Sequence, residues 1–198
     1  MASQNEKNNN DEILFVKNMF CRCCFPFLKE KLEQLGFQVI EISLGKVRIV
    51  QPAKKISHEA VDNMLSKYGF ELIHSREDRI VEEIKIAVIE LIHHLNNVNS
   101  IVRKSDYLVE KLGLSYQYLS KVFSEHEHQT LEKYIILQKI EGIKQLIDTE
   151  EYTLSEISYM MDYSSVHYLS NQFKVITGMT VSQYKESDRT SKRAIDDI

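Results

Sequence analysis

The sequence of 198 residues predicts a chain of two parts, a small α+β domain followed by an all-α domain. Short alternating apolar stretches are confined to residues 12–74, and this alternation is typical of strands. Apolar residues at three- to four-residue spacing follow over residues 80–186 and indicate successive amphipathic helices. A pattern that begins at Tyr118 returns 50 residues later, which indicates a duplicated unit in the helical part.

The composition narrows the possible classes of protein. Hydrophobic residues make up 43% of the sequence and charged residues 27%, as in ordinary globular domains. No apolar run reaches the roughly 20 residues of a membrane-spanning helix, and residues 1–11 are too polar for a secretory signal. We therefore expect a cytoplasmic protein with no membrane partner, with residues 1–11 disordered and residues 187–198 forming a flexible tail.

The sequence shows no pattern typical of an enzyme. It contains no nucleophile–base set, no phosphate-binding loop and no pair of carboxylates at catalytic spacing. The net charge of −4 also gives no overall attraction to nucleic acid, because residues 80–198 carry 13 Lys and Arg against 18 Asp and Glu. Any binding to DNA must therefore depend on a local arrangement of residues.

The first domain begins with a strand and a helix. Residues 13–16 predict the strand, and an amphipathic helix follows with Leu28, Leu32 and Leu35 on one face. Gly36 is suited to the left-handed position that ends such a helix.

A hairpin, a second helix and a last strand complete the first domain. Ile40, Ile42 and Leu44 alternate and predict one apolar face of a strand. Ser57 predicts the start of the second helix, and residues 70–73 predict the last strand. The resulting order, β-α-β-β-α-β, predicts a ferredoxin-like α+β fold.

The second domain is predicted to be helical throughout. Residues 75–79 form a short charged break and are the expected domain boundary. An amphipathic helix from Ile80 to about Asn97 comes next. Further helices are predicted over Ser105–Leu112, Ser115–Ser124, Thr130–Asp148, Thr153–Met161 and Ser165–Thr177.

The duplicated pattern has the form of two helix-turn-helix units. The six residues Tyr118 to Phe123, YLSKVF, return as Tyr168 to Phe173, YLSNQF, and a turn sequence precedes each copy. In both copies the Leu and the Phe lie four residues apart, so they are expected to face inward from one side of a helix. The second helix of each unit is here called its reading helix.

These residues resemble the DNA-binding region of AraC/XylS-type transcription regulators. The resemblance covers residues 84–185 and is densest over residues 157–184. It implies two helix-turn-helix units joined by a long helix, with each reading helix offered to the major groove of DNA. Asp162 stands where the family usually has Gly in the turn, and Asn171 stands where Arg is common.

The outer faces of the reading helices supply the candidate DNA contacts. Polar side chains opposite the apolar face can reach base edges, and hydroxyls with free N–H groups at a helix start can hold phosphates. The predicted DNA-binding residues are Ser115, Tyr116, Gln117, Ser120 and Lys121 in the first unit, and Ser164, Ser165, Val166, His167, Ser170, Asn171 and Lys174 in the second.

The helix between the two units has a suitable length for this role. Thr130–Asp148 comprises 19 residues, which span about 28 Å in a straight helix. Successive major-groove faces recur every ~34 Å, so one chain is expected to present both reading helices to adjacent turns of DNA.

The three cysteines, at positions 21, 23 and 24, form a separate motif. Met19-x-Cys21-x-x-Cys24 between a strand and a helix resembles heavy-metal-associated domains. The resemblance implies that Cys21 and Cys24 bind a soft ion such as Cu(I), with Zn(II) as an alternative. Two rival hypotheses for this motif are thiol redox sensing and a fold kept only for packing.

The combined hypothesis is a DNA-binding transcription regulator whose first domain responds to metal or thiol state. Double-stranded operator or promoter DNA is the expected partner, and RNA polymerase is a further candidate. The rival hypothesis is a metal-handling or scaffold protein whose helical domain binds protein rather than DNA, which the acidic balance favours. The oligomeric state, the operator and the direction of regulation are left open by the sequence.

Overall fold

The computed structural model describes residues 11–94 and 104–187. The chain divides into two compact units, Met1–Glu83 and Ile84–Ile198, here called the N-terminal and C-terminal units. Asp11, which was expected to be disordered, opens the first strand. Of the two predicted flexible ends, only Asp11 and Ser187 lie within the described residues. Within those residues no helix is both long and apolar enough to cross a membrane.

The N-terminal unit has the element order that the sequence predicts. Its sheet has the strand order β2-β3-β1-β4, and every neighbouring pair is antiparallel. A short 3-10 helix that was not predicted, Arg22–Cys24, precedes α1. The elements are β1 (Asp11–Lys17), α1 (Phe25–Leu35), β2 (Gln38–Ser43), β3 (Lys46–Val50), α2 (His58–Ser66) and β4 (Glu71–Leu72).

The core of this unit forms between α1, α2 and one face of the sheet. Leu28 and Leu32 of α1 are completely buried, together with Val47 and Ile49 of β3. Burial of such side chains contributes about 1.5–3 kcal/mol each. Gly36 ends α1 with φ of 104°, in the left-handed conformation expected for the residue after a helix.

The predicted apolar face of β2 is wrong at one residue. The register between β2 and β3 shifts between Val39 and Glu41, and this irregularity inserts an extra residue into β2. Val39 and Ile42 therefore pack against the core, whereas Ile40 is 43% exposed. A single bulge reverses the faces of the residues that follow it.

The predicted charged break at residues 75–79 forms instead the start of a helix, α3 (Arg76–Ile89). The Ser75 hydroxyl accepts a hydrogen bond from the backbone N–H of Asp78 at 2.9 Å, as a helix cap does. Glu77 and Asp78 lie in the first turn, where carboxylates interact favourably with the helix dipole. A π-helical turn, Glu90–His94, follows α3, and the predicted helix end near residue 97 lies outside the described residues.

The C-terminal unit contains the predicted helices, and most of them begin one residue after the predicted start. The reason is that Ser115, Thr130, Thr153 and Ser165 cap the helices that follow them. A short last helix was not among the predicted ones. The helices are α4 (Lys104–Leu112), α5 (Tyr116–His126), α6 (Leu131–Thr149), α7 (Leu154–Met160), α8 (Val166–Thr177) and α9 (Val181–Glu186).

The repeat extends further along the chain than the sequence pattern indicated. Phe123 of α5 contacts Tyr134 of α6, with ring centroids 5.2 Å apart. Fifty residues later, Phe173 of α8 contacts Tyr184 of α9 at 5.6 Å. All four rings are at most 1% exposed. Each reading helix is therefore anchored by the same aromatic pair to the helix that follows it.

The turns of the two units also correspond, with one difference. Gly113 has φ of 67° and Asp162 has φ of 53°, so both residues are left-handed. Asp tolerates this conformation because its short polar side chain can hydrogen-bond locally. The second turn is one residue longer, so Ser165 is the cap of α8 and Ser164 precedes it.

Substitution of the anchoring aromatic residues should destabilise the C-terminal unit. We expect Phe173→Ala to lower the free energy of unfolding by about 3–5 kcal/mol, since the side chain is completely buried. Val175→Ala on the same helix is the control, because Val175 is 80% exposed and should change stability by less than about 0.5 kcal/mol. Urea denaturation, followed by circular dichroism of the helices, measures both free energies of unfolding. Equal losses for the two variants would contradict the burial of Phe173.

The left-handed turn gives a second stability prediction. We expect Gly113→Ala to cost about 1–2 kcal/mol through backbone strain alone, because an added Cβ would meet no atom within 4 Å. Gly113→Asp should cost less, since Asp162 adopts the same conformation in the second unit. A larger loss for Asp than for Ala in urea denaturation would contradict the role assigned to backbone strain.

Candidate nucleic-acid interface

The first reading helix, α5, has one buried face and one exposed face. Leu119 and Phe123 are completely buried, while Gln117 and Lys121 are exposed on the opposite side. Ser115 accepts a hydrogen bond from the N–H of Tyr118 at 3.3 Å and so fixes the start of the helix. The apolar pattern thus determines which polar side chains α5 presents.

Two of the predicted contacts on α5 are engaged by a carboxylate. The Tyr116 hydroxyl donates to Oε1 of Glu132 at 2.9 Å, and the Ser120 hydroxyl donates to the same oxygen at 3.5 Å. Burial, with a further contribution from Glu132, raises the pKa of Tyr116 to about 12. Lys121 forms an exposed ion pair with Glu125 at 3.8 Å. The outer face of α5 is therefore flanked by acidic groups, and the repeat pattern did not reveal the contacts of Glu132.

The second reading helix, α8, has a different surface. His167, Asn171 and Lys174 are exposed, whereas Val166 and Ser170 are half-buried. Nδ2 of Asn171 lies 3.0 Å from Nε2 of His167, so the two side chains hold each other one helical turn apart. The sequence of α8 contains no acidic residue. This face thus offers amide and imidazole groups with one cation.

A buried lysine fixes the turn in front of α8. Nζ of Lys139 on α6 lies 4.1 Å from the ring centroid of Tyr163 and donates to the carbonyl oxygen of Asp162 at 3.5 Å. The Tyr163 hydroxyl donates to Oε1 of Gln172 at 2.6 Å. Burial raises the pKa of Tyr163, so this hydroxyl remains a donor. Sequence reasoning missed Lys139, because a lysine within a helix gives no signal of such a contact.

The long helix α6 has the predicted length and packs against both reading helices. It comprises 19 residues and is about 28 Å long, and contacts with both α5 and α8 are present. Lys144 and Glu141 form a buried ion pair of 2.7 Å along it. Because helices pack rigidly through buried side chains, α6 fixes the two reading helices within one body.

Two of the three cysteines in the cysteine motif are bonded to each other. Cys21 and Cys23 are joined in a disulfide bond, so Cys21 and Cys24 do not present two thiolates to a metal ion. The Cys24 thiol donates to the carbonyl oxygen of Cys21 at 2.8 Å, and burial raises the pKa of Cys24. Three adjacent cysteines allow more than one pairing, and the 3-10 turn at Arg22–Cys24 brings the first two together. In residues 11–94 and 104–187 no three His, Cys, Asp or Glu side chains are grouped to hold a metal.

Comparison with known proteins gives a family match in the C-terminal part of the chain. Residues 108–187 match the protein-family model described as a helix-turn-helix domain. The xylose operon regulatory protein of Escherichia coli K12 is 29% identical over 100 residues, which are 50% of this chain and 26% of that protein. The Msm operon regulatory protein of Streptococcus mutans is 25% identical over 117 residues, which are 59% of this chain and 41% of that protein.

The chain thus spans less than half the length of these relatives, and no solved structure matches it significantly. The matched residues include both reading helices and the helix between them. The prediction of paired helix-turn-helix units is therefore confirmed in its main feature. Residues 108–187 form a helix-turn-helix domain.

Proposed function

We propose that this chain is a sequence-specific DNA-binding transcription regulator of the AraC type. The observation that carries the proposal is the duplicated reading helix, buried on its apolar face and presenting polar side chains on the other. The relatives support it, because both are operon regulatory proteins by name. RNA polymerase stays a predicted further partner.

The second helix-turn-helix offers the clearer set of contacts. Asn171 carries the donor and acceptor pair that recognises adenine in the major groove. Lys174 provides a cation for a phosphate, and the N-terminus of α8, capped by Ser165, can receive another phosphate. In the first unit, Ser115, Gln117 and Lys121 are the exposed members of the predicted set. The proposed phosphate contacts position the protein on DNA, whereas the proposed contact of Asn171 with a base recognises the sequence.

Two substitutions on α8 separate these roles. We expect Lys174→Ala to weaken binding to all sequences alike and to reduce the salt slope by about 1. Asn171→Ala should cost about 1–3 kcal/mol only at its own base pair. Fluorescence anisotropy with a duplex selected from random DNA, over a salt titration, measures both effects. Lys29→Ala, an exposed lysine of α1, is the charge-matched control and should leave affinity unchanged.

The same titration tests the rival hypothesis of a protein-binding scaffold. The acidic balance of residues 80–198 is the observation that favours this rival. Selection that enriches no sequence, together with no shift at the lowest salt, would end the DNA proposal. Enrichment of one motif that Asn171→Ala relaxes would exclude the rival as the main function.

We further propose that the N-terminal unit is an input domain with a ferredoxin-like arrangement. The support is its β-α-β-β-α-β order, with four antiparallel strands and two helices that share one core. The disulfide-bonded state does not fit a soft cation, because the sulfur of Cys21 is bonded to Cys23. Binding of Cu(I) or Zn(II) would require reduction of this bond first.

Metal titration under two redox conditions tests this input role. We expect the untreated chain to take up neither ion, and the reduced chain to bind one soft ion per molecule if Cys21 and Cys24 are ligands. The double variant Cys21→Ser with Cys24→Ser should lose this uptake, while Cys23→Ser should retain it. Equal uptake by the reduced wild type and the double variant would remove these cysteines as ligands.

A further inference from the structure

The two helix-turn-helix units differ most where a reading helix meets the helix that follows it. With the 50-residue offset of the repeat, Tyr116 corresponds to Val166 and Glu132 to Ser182, while Ser120 corresponds to a second serine, Ser170. The anchoring aromatic pairs are the same in both units. Beside the same kind of aromatic pair, the first unit therefore has a phenol and a carboxylate where the second has Val166 and Ser182.

Glu132 is placed to act on the outer face of α5. It is exposed in the first turn of α6, and one of its oxygens accepts hydrogen bonds from both Tyr116 and Ser120. These are two of the side chains that this helix would otherwise offer to DNA. Within the described part of the chain, no lysine, arginine or histidine is paired with Glu132.

Because Glu132 has no cationic partner within the described residues, its negative charge opposes DNA binding that depends on attraction to phosphates alone. Exposed charges interact over about 10 Å at ordinary ionic strength, a distance that includes the phosphates of a duplex held against α5. The nearby cation Lys121 is itself paired with Glu125. On α8, by contrast, no acidic residue is present and Lys174 is exposed. Non-specific attraction is therefore weaker at the first unit than at the second.

We propose that Glu132 is a specificity-determining residue that suppresses non-specific DNA binding by the first reading helix. Its carboxylate keeps the hydroxyls of Tyr116 and Ser120 hydrogen-bonded. Its charge repels DNA phosphates, and in a non-specific complex no contact with a base offsets this repulsion. The inference rests on the proposed function, DNA binding through α5 and α8. It assigns the second unit the main role in initial, charge-driven contact with DNA.

The test compares wild type with Glu132→Gln in the full-length chain. Glutamine keeps an acceptor for Tyr116 and removes the charge. We expect the affinity for a scrambled duplex to rise about fivefold at low salt, the effect of one like charge at close range in water. The affinity for the selected operator should rise less, so the ratio of specific to non-specific affinity falls. Both differences should shrink as salt increases.

A matched control and a reciprocal variant sharpen the result. Glu59→Gln removes a charge from the first turn of α2, two residues after the cap Ser57, as Glu132 lies two residues after Thr130. It should leave both affinities unchanged. Ser182→Glu introduces the carboxylate at the equivalent position of the second unit and should weaken non-specific binding. Circular dichroism verifies that each variant has the wild-type helix content.

An independent readout tests the contact itself. Glu132 contributes to the raised pKa of Tyr116, so Glu132→Gln should lower the pKa of this tyrosine from its value of about 12. Nuclear magnetic resonance of labelled tyrosine measures this shift without any DNA. An unchanged pKa of Tyr116 would contradict the close approach of the Glu132 charge on which the inference depends.

The remaining outcomes are distinct. Unchanged affinity of Glu132→Gln for the scrambled duplex, with normal binding by the wild type, would overturn the inference and leave the proposed function intact. A loss of operator affinity would show that Glu132 itself contacts a base, and would also overturn the inference. Absence of DNA binding by both proteins would overturn the proposed function, and the inference with it.

Discussion

The architecture of the C-terminal unit depends on one repeated contact, the packing of a phenylalanine on each reading helix against a tyrosine of the next helix. Phe123 with Tyr134, and Phe173 with Tyr184, are buried almost completely. Each pair fixes the angle at which a reading helix leaves its core, and so fixes which side chains face outward. A threonine cap starts the helix of each tyrosine, which adds a local constraint to the buried one.

Within this shared frame, electrostatics distinguishes the two units. The first reading helix is flanked by Glu125 and Glu132, whereas the second contains no acidic residue and carries Lys174 on its surface. A duplicated fold therefore presents two chemically different faces. Because the net charge of the chain is −4, the proposed affinity for DNA cannot come from bulk attraction, and this difference would have more influence than in a basic protein.

The structure defines the fold of the N-terminal unit, whereas its role as an input domain is a proposal. Two helices and four antiparallel strands share one core, and the cysteine turn lies between β1 and α1. The disulfide between Cys21 and Cys23 leaves Cys24 as the free thiol of the three. The chemistry of this turn is thus set by which pair of sulfurs is bonded, and the proposed binding of a soft metal would need the Cys21 sulfur that the disulfide occupies.

The sequence by itself determined the order of the main elements, the boundaries of the C-terminal helices to within about one residue and the repeated reading helices. These depend on local periodicity, capping residues such as Ser115 and Thr130, and turn residues such as Gly113, which act over a few neighbours. Only the tertiary structure decided the contacts between distant residues. Glu132 meets Tyr116 across 16 residues, Lys139 meets Tyr163 from another helix, and the bulge that exposes Ile40 depends on pairing with β3. Such contacts depend on how helices and strands pack, and the order of residues along the chain does not show that packing.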